Sequence, residues 1–131
     1  FSAETLTANN TKLVLNVCFN YGGRWDICQA AESLRKSGQA ITEEALGKSL
    51  ALAHVPDPDL FIRTGGELRV SNFLIWQMAY AEFYFSPVLW PDFNAQELDQ
   101  AITVFRSRER RFGQTSEQLV GAAHGMKPGD A

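Results

Sequence analysis

DLFIRTGGELRVSNFLIWQMAYAEFYF, residues 59–85, decides how this chain folds. It opens on a short apolar run, Leu60-Phe61-Ile62, and breaks at Thr64-Gly65-Gly66. A mostly apolar stretch, 73–81, then leads into the aromatic run Phe83-Tyr84-Phe85. The pattern predicts a strand over residues 59–63, a loop, a helix beginning near Ser71 or Asn72, and a second strand from Glu82. Strands separated by helical segments imply right-handed βαβ units and a parallel sheet. The intervening helix, apolar nearly all round, should be buried on most sides.

Working outward, KLVLNVCF at residues 12–19 is short, apolar and rich in β-formers, and predicts another buried strand. Asn20-Tyr21-Gly22-Gly23 breaks it. A helix over 24–36 follows, with Ile27, Ala30, Ala31 and Leu34 on one face and Gly38 at its end. Thr42 has the character of an N-cap, with Glu43 and Glu44 where the helix dipole favours acids. That helix should run to about Ala53, before the loop marked by Pro56 and Pro58. Beyond Ser86-Pro87, Asn94 and Glu97 have capping-box spacing and open a last helix with Ala101, Ile102 and Phe105 inside. The fold class is therefore α/β, a parallel β-sheet flanked by helices, in a single domain. After Gly113 the periodicity stops, and Gly121, Gly125, Pro128 and Gly129 mark 114–131 as a flexible tail. The opening FSAETL has the look of a helix already under way, so the natural chain is expected to extend upstream.

Composition narrows the function. The 131 residues are 45% apolar and 21% charged, ordinary for one soluble globular domain. A net charge of −3 leaves no global field to draw the chain onto nucleic acid, so any anion site must be local. No apolar run approaches the roughly 20 residues of a membrane span. Cys18 and Cys28 fit neither a metal spacing nor a disulfide framework, which points to free thiols in a reducing cytoplasm. His54 and His124 have no partner at catalytic or metal spacing.

The densest chemistry lies in RTGGELRVSN, residues 63–72, at the carboxyl end of a predicted strand, where open parallel sheets bind ligands. Two glycines let the backbone approach a ligand, and a following helix would offer free N–H groups. Arg63 and Arg69 supply planar donor forks and Ser71 a hydroxyl, a set suited to a diphosphate. Alternatively, the glycines form only a tight turn and both arginines pair with Glu67. NYGGRWD, residues 20–26, places Asn20, Arg24 and Asp26 at another strand end, either as a second polar wall or as a simple βα turn. Glu82, between apolar and aromatic runs, needs a partner: Mg²⁺ or an arginine. Arg106, Arg108, Arg110 and Arg111 crowd the last helix as a solvated face near its negative end.

NYGGRWD and DLFIRTGGELRVSNFLIWQMAYAEFYF closely resemble the two C-terminal signature regions of the undecaprenyl diphosphate synthases, a cis-prenyltransferase family. LWPDF at residues 89–93 and RERRFG at 108–113 match in the right order. The resemblance implies that residues 1–113 are the C-terminal part of a single cis-prenyltransferase domain. It implies a cytoplasmic, Mg²⁺-dependent homodimer that adds isopentenyl diphosphate repeatedly to farnesyl diphosphate. Each addition makes a cis double bond, and the product passes to the membrane as a carrier for cell-wall sugars. Arg63, Arg69, Val70 and Ser71 would then hold isopentenyl diphosphate, and Glu82 the magnesium. Glu67 would orient the arginines, Asp26 and Asp59 would be motif aspartates in supporting roles, and Arg111 and Gly113 would belong to an element reaching the site near the dimer interface. Leu13 would lie on the strand flooring the product tunnel. The catalytic aspartate is expected upstream of Phe1, and Leu68 stands where some relatives have a histidine beside the metal. A noncatalytic accessory subunit of a two-component enzyme is the competing expectation, though such partners tend to lose the loop kept here.

Overall fold

A computed structural model describes residues 2–108 of the chain. Helices α1 (Ser2–Thr7), α2 (Gly23–Ser37) and α3 (Glu43–Ser49) precede strand β1 (Leu60–Arg63). Strand β2 (Glu82–Phe85), a 3₁₀ turn (Trp90–Asp92) and α4 (Ala95–Ser107) complete the order. The two strands pair in parallel, Leu60 opposite Glu82 and Arg63 opposite Phe85. The predicted α/β class is what the structure shows.

Local chemistry sets the helix ends. The Thr42 hydroxyl accepts from the Ala45 N–H and starts α3. Gly38 stops α2 at φ 70°, its N–H donating to the carbonyls of Leu34 and Arg35. Asn94 caps α4 through the N–H groups of Gln96 and Glu97, at 2.9 and 3.2 Å. Glu97 does not close the capping box; its Oε2 instead accepts from the Ser86 hydroxyl at 3.4 Å. The core sits between α2 and α3, where Ala30, Leu34, Leu46 and Leu50 are buried together under Ile27 and Trp76. Each buried leucine stabilises the fold by about 1.5–3 kcal/mol. At the other end α4 packs on β2, and its Ala101 is buried.

Three expectations need correction. Residues 12–19 form no strand: Leu13 and Leu15 are each 80% exposed, and among the described residues no ladder partner lies beside them. Their apolar character calls for burial, which the described elements do not supply. The predicted helix over 73–81 is a succession of turns. Ser71, Asn72 and Leu74 sit at φ 50°, 61° and 45°, a left-handed backbone that interrupts any α-helix. Gln77 and Met78 are buried, while Ile75, Ala79 and Tyr80 are exposed, so one side of the segment is covered rather than most. Lastly, α3 ends at Ser49, and turns occupy 51–54. None of the described helices is long and apolar enough to cross a membrane. The predicted tail, Arg110, Arg111 and Gly113 lie outside the described residues.

Candidate functional site

The chain leaves β1 at Arg63 and turns through Gly65 and Gly66, both in the left-handed region at φ 84° and 73°. Their N–H groups are already engaged, Gly65 to the Val88 carbonyl at 2.7 Å and Gly66 to the Ser86 carbonyl at 2.9 Å. With no helix starting at residue 71, there is no helix N-terminus here either. The anion-binding capacity of this loop therefore rests on side chains.

Those side chains converge. Arg63 Nη1 donates to the Arg69 carbonyl at 2.5 Å and to the Ser71 hydroxyl at 2.7 Å. Both bonds use one nitrogen, and among the described residues Nε and Nη2 take no hydrogen-bond partner. That edge is the one a carboxylate or phosphate engages with two parallel bonds. Arg69, largely exposed, is ion-paired with Glu67. Glu67 thus orients Arg69 and not Arg63. Val70, half-buried, lies between Arg69 and Ser71, and its carbonyl accepts the Phe73 N–H at 3.3 Å.

The NYGGRWD residues part company. Asn20 is exposed at φ 52°, and the Arg24 side chain is also exposed. Asp26 turns inward, only 1% exposed, and is no wall of a cleft. Its carboxylate accepts from the Tyr21 hydroxyl (2.7 Å), Gln29 Nε2 (2.9 Å), the Ala51 N–H (2.8 Å) and Gln77 Nε2 (3.3 Å). Burial alone would raise its pKa, but those donors together hold it below the ordinary value. The Tyr21 hydroxyl is pushed well up, first by burial and then by its bond to Asp26. The motif is the turn into α2 with Asp26 facing inward; with no strand over 12–19 it is neither a polar wall through Asp26 nor a βα turn.

Glu82 does not join the arginine loop. It lies opposite Leu60, three register positions from Arg63 and on the other face of the strand pair. Its Oε2 accepts from Arg108 Nη1 at 2.8 Å, and the same nitrogen donates to the Phe83 carbonyl at 2.9 Å. Arg108 is therefore not part of a free solvated face. Among the described residues no group of three His, Cys, Asp or Glu could hold a metal ion. A single carboxylate already bound to a guanidinium does not by itself make a magnesium site. The Asp59 carbonyl takes the Glu82 N–H at 2.9 Å and starts the ladder.

A residue the motif reading passed over sits where the two motifs meet. The Asn72 carbonyl accepts the Gly23 N–H at 2.7 Å, and its Oδ1 accepts the Arg24 N–H at 2.9 Å. The available signal was an asparagine just where the backbone turns left-handed.

A family model described as putative undecaprenyl diphosphate synthase matches residues 2–113. The chain belongs to this family. It is 63% identical over 118 residues to an isoprenyl transferase of Neisseria meningitidis serogroup B, covering 89% of this chain and 48% of the relative. It is 52% identical over 124 residues to a ditrans,polycis-undecaprenyl-diphosphate synthase ((2E,6E)-farnesyl-diphosphate specific) of Vibrio vulnificus, covering 89% and 49%. Among solved structures it resembles a probable undecaprenyl diphosphate synthase from Campylobacter jejuni, with TM-score 0.77 and 39% identity over 86% of this chain and 53% of the other. Lavandulyl diphosphate synthase from Lavandula x intermedia, solved with dimethylallyl diphosphate, gives TM-score 0.79 and 37% identity, covering 86% and 52%. The chain spans about half the length of the relatives it matches.

Proposed function

We propose that this chain holds isopentenyl diphosphate in a cis-prenyltransferase that extends farnesyl diphosphate to undecaprenyl diphosphate. The observation that carries the reading is the Nε–Nη2 edge of Arg63, without a partner among the described residues and fixed by the bonds of its Nη1 to Ser71 and the Arg69 carbonyl. An arginine held in this way loses less entropy on binding a phosphate than a free one does. Arg69 stands in the same loop, tied to Glu67, and Ser71 offers a hydroxyl. Family membership supplies the substrate class, and the name of the Vibrio vulnificus relative supplies the allylic partner.

In the proposed reaction the double bond of isopentenyl diphosphate attacks the allylic carbon. A C–C bond forms, the allylic diphosphate leaves with the electron pair of its C–O bond, and a proton is lost to give the new double bond. Arg63 and Arg69 hold the other diphosphate, the one retained in the product, and so keep the nucleophile still. The aspartate that assists the leaving group is assigned to a segment outside this chain. Magnesium belongs to the proposal as an ion that diphosphate oxygens would ligate, with Glu82 the protein carboxylate to test as a further ligand. A cytoplasmic homodimer that releases its product to the membrane completes the reading.

Binding of isopentenyl diphosphate by calorimetry tests it. Arg63→Ala should lose about 1.5–3 kcal/mol, roughly ten- to a hundredfold in affinity. Unchanged affinity would remove Arg63 from the site, and no binding by the unaltered protein would favour a noncatalytic partner subunit. Titration of Mg²⁺ in Glu82→Gln decides the metal: a raised requirement supports Glu82 as ligand, and an unchanged one leaves it as the partner of Arg108.

A further inference from the structure

Helix α2 begins without a cap of its own. Gly22, at its N-cap position, has no side chain, and the first N–H groups of a helix have no partner inside it. Two of these are satisfied from far along the chain: Asn72 takes the Arg24 N–H, 48 positions away, on Oδ1 and the Gly23 N–H on its carbonyl oxygen. Asn72 also sits in the left-handed region at φ 61°, where asparagine is among the residues best tolerated. It directly follows Ser71, the hydroxyl that Arg63 grips at 2.7 Å.

The seat for Asn72 is built from glycine. A Cβ on Gly22 would lie 2.9 Å from Asn72 Nδ2. A Cβ on Gly23 would lie 2.8 Å from Ile75 Cγ1 and 3.0 Å from the Ile75 backbone nitrogen. The two glycines let α2 come down onto residues 72–75, and the segment in turn completes the helix end.

We propose that Asn72 is a positioning residue for the diphosphate loop. By capping α2 from across the fold, it anchors the carboxyl end of the loop that runs from Arg63 to Ser71. Ser71 is thereby held where Arg63 can bond to it, and the free edge of the guanidinium keeps its direction. Asn72 touches no substrate in this role. Its effect passes through Ser71 and Arg63, and it makes NYGG and RTGGELRVSN one unit. This inference rests on the proposed reading of the loop as a diphosphate site.

The test uses the full chain, inorganic diphosphate as the probe, and two measurements: affinity by calorimetry and amide hydrogen exchange at Gly23 and Arg24. Asn72→Gly tolerates the same φ and removes the side chain but keeps the carbonyl acceptor, so of the two capping bonds it deletes only the one to Oδ1. It should release the Arg24 amide while Gly23 stays protected, and weaken diphosphate about three- to tenfold, the scale of one capping bond. Gly22→Ala should give the same weakening by pushing Asn72 off its seat. The Gly22→Ala/Asn72→Gly double variant should be no weaker than the worse single, because both break one contact. Strict additivity would overturn the coupling. Loss of Arg24 protection with unchanged diphosphate affinity would overturn the positioning role and leave a helix cap. Should the unaltered chain bind no diphosphate, the reading of the loop fails and the positioning role with it. Should it bind while every Asn72 variant binds equally well, only the positioning role fails.

Discussion

Asp26 is a buried carboxylate with four donors and, among the described residues, no cation beside it, so its energetics are those of a hydrogen-bonded anion. Its lowered pKa means that its contribution is present above the ordinary aspartate value, near 3.9, and is lost as pH falls through the lowered one. Glu32, hydrogen-bonded by Arg35, and Glu44, hydrogen-bonded by Lys48, are also lowered and act in the same direction from the surface. Tyr21 does the opposite: its pKa is raised, so its contribution is present below about pH 10 and is lost as pH climbs beyond that. Asp26→Asn should cost about 2–3 kcal/mol at neutral pH, since donors aimed at a carboxylate then face an amide. It should also flatten, without abolishing, the acid limb of stability. Tyr21→Phe should flatten the alkaline limb. Urea midpoints from pH 2 to 11 check both, and an acid limb unchanged in Asp26→Asn would mean that Asp26 is not the group that titrates. The sequence left NYGGRWD open between a polar wall and a βα turn, and the structure shows a turn into α2 with Asp26 inward and no strand before it. That outcome depended on Tyr21, Gln29, Ala51 and Gln77 meeting at one carboxylate, and no spacing announces that.

At the scale of elements, the caps were legible because they are local. Thr42, Gly38 and Asn94 each act on the helix they border, within a few residues. The end of α4 was not legible, because Arg108 acts 26 positions away on Glu82. Removing it in Arg108→Ala should loosen α4 from β2 at a cost of about 1 kcal/mol, as expected of a partly exposed pair. Thermal unfolding in low and high salt checks this, and the difference between variant and parent should shrink as salt screens the pair. The start of α2 is stricter. Gly23→Ala would drive a Cβ into the Ile75 backbone, which cannot swing away as a side-chain tip can. A loss of about 1–3 kcal/mol is expected, despite alanine's better helix propensity, and denaturant unfolding measures it. The segment 73–81 misled for a related reason. Its apolar residues satisfy helical periodicity, yet the left-handed backbone at Ser71, Asn72 and Leu74 takes the chain into turns before a helix can nucleate.

For the whole molecule, the described sheet has two strands, and the apolar segment 12–19 stands outside it. Leu13, Val14, Leu15, Val17 and Phe19 are all largely exposed, an apolar stretch with no sheet partner among the described residues. Such a stretch favours association. The 131-residue chain produced alone should therefore self-associate in a concentration-dependent way, and Leu15→Lys should reduce it. Sedimentation velocity across a hundredfold range of concentration is the measurement, and a monomer throughout would show that the segment is covered.

By itself the sequence determined the α/β class, a strand ending at Arg63 and leading into a glycine turn, the helix caps Gly38, Thr42 and Asn94, and the presence of Arg63, Arg69 and Ser71 in one loop. All of these follow from short-range chemistry: apolar runs of strand length, φ values that glycine tolerates, side chains that reach their own backbone. Only the tertiary structure decided that the Gly65 and Gly66 amides are spent on residues 86–88, that Asp26 faces inward and that Glu82 meets Arg108 away from the arginine loop. It alone decided that Asn72 caps a helix 48 positions distant. Each of these is a choice among partners far apart in the chain. A polar group taken out of water must find some partner, but which one it finds depends on where the packed elements bring it.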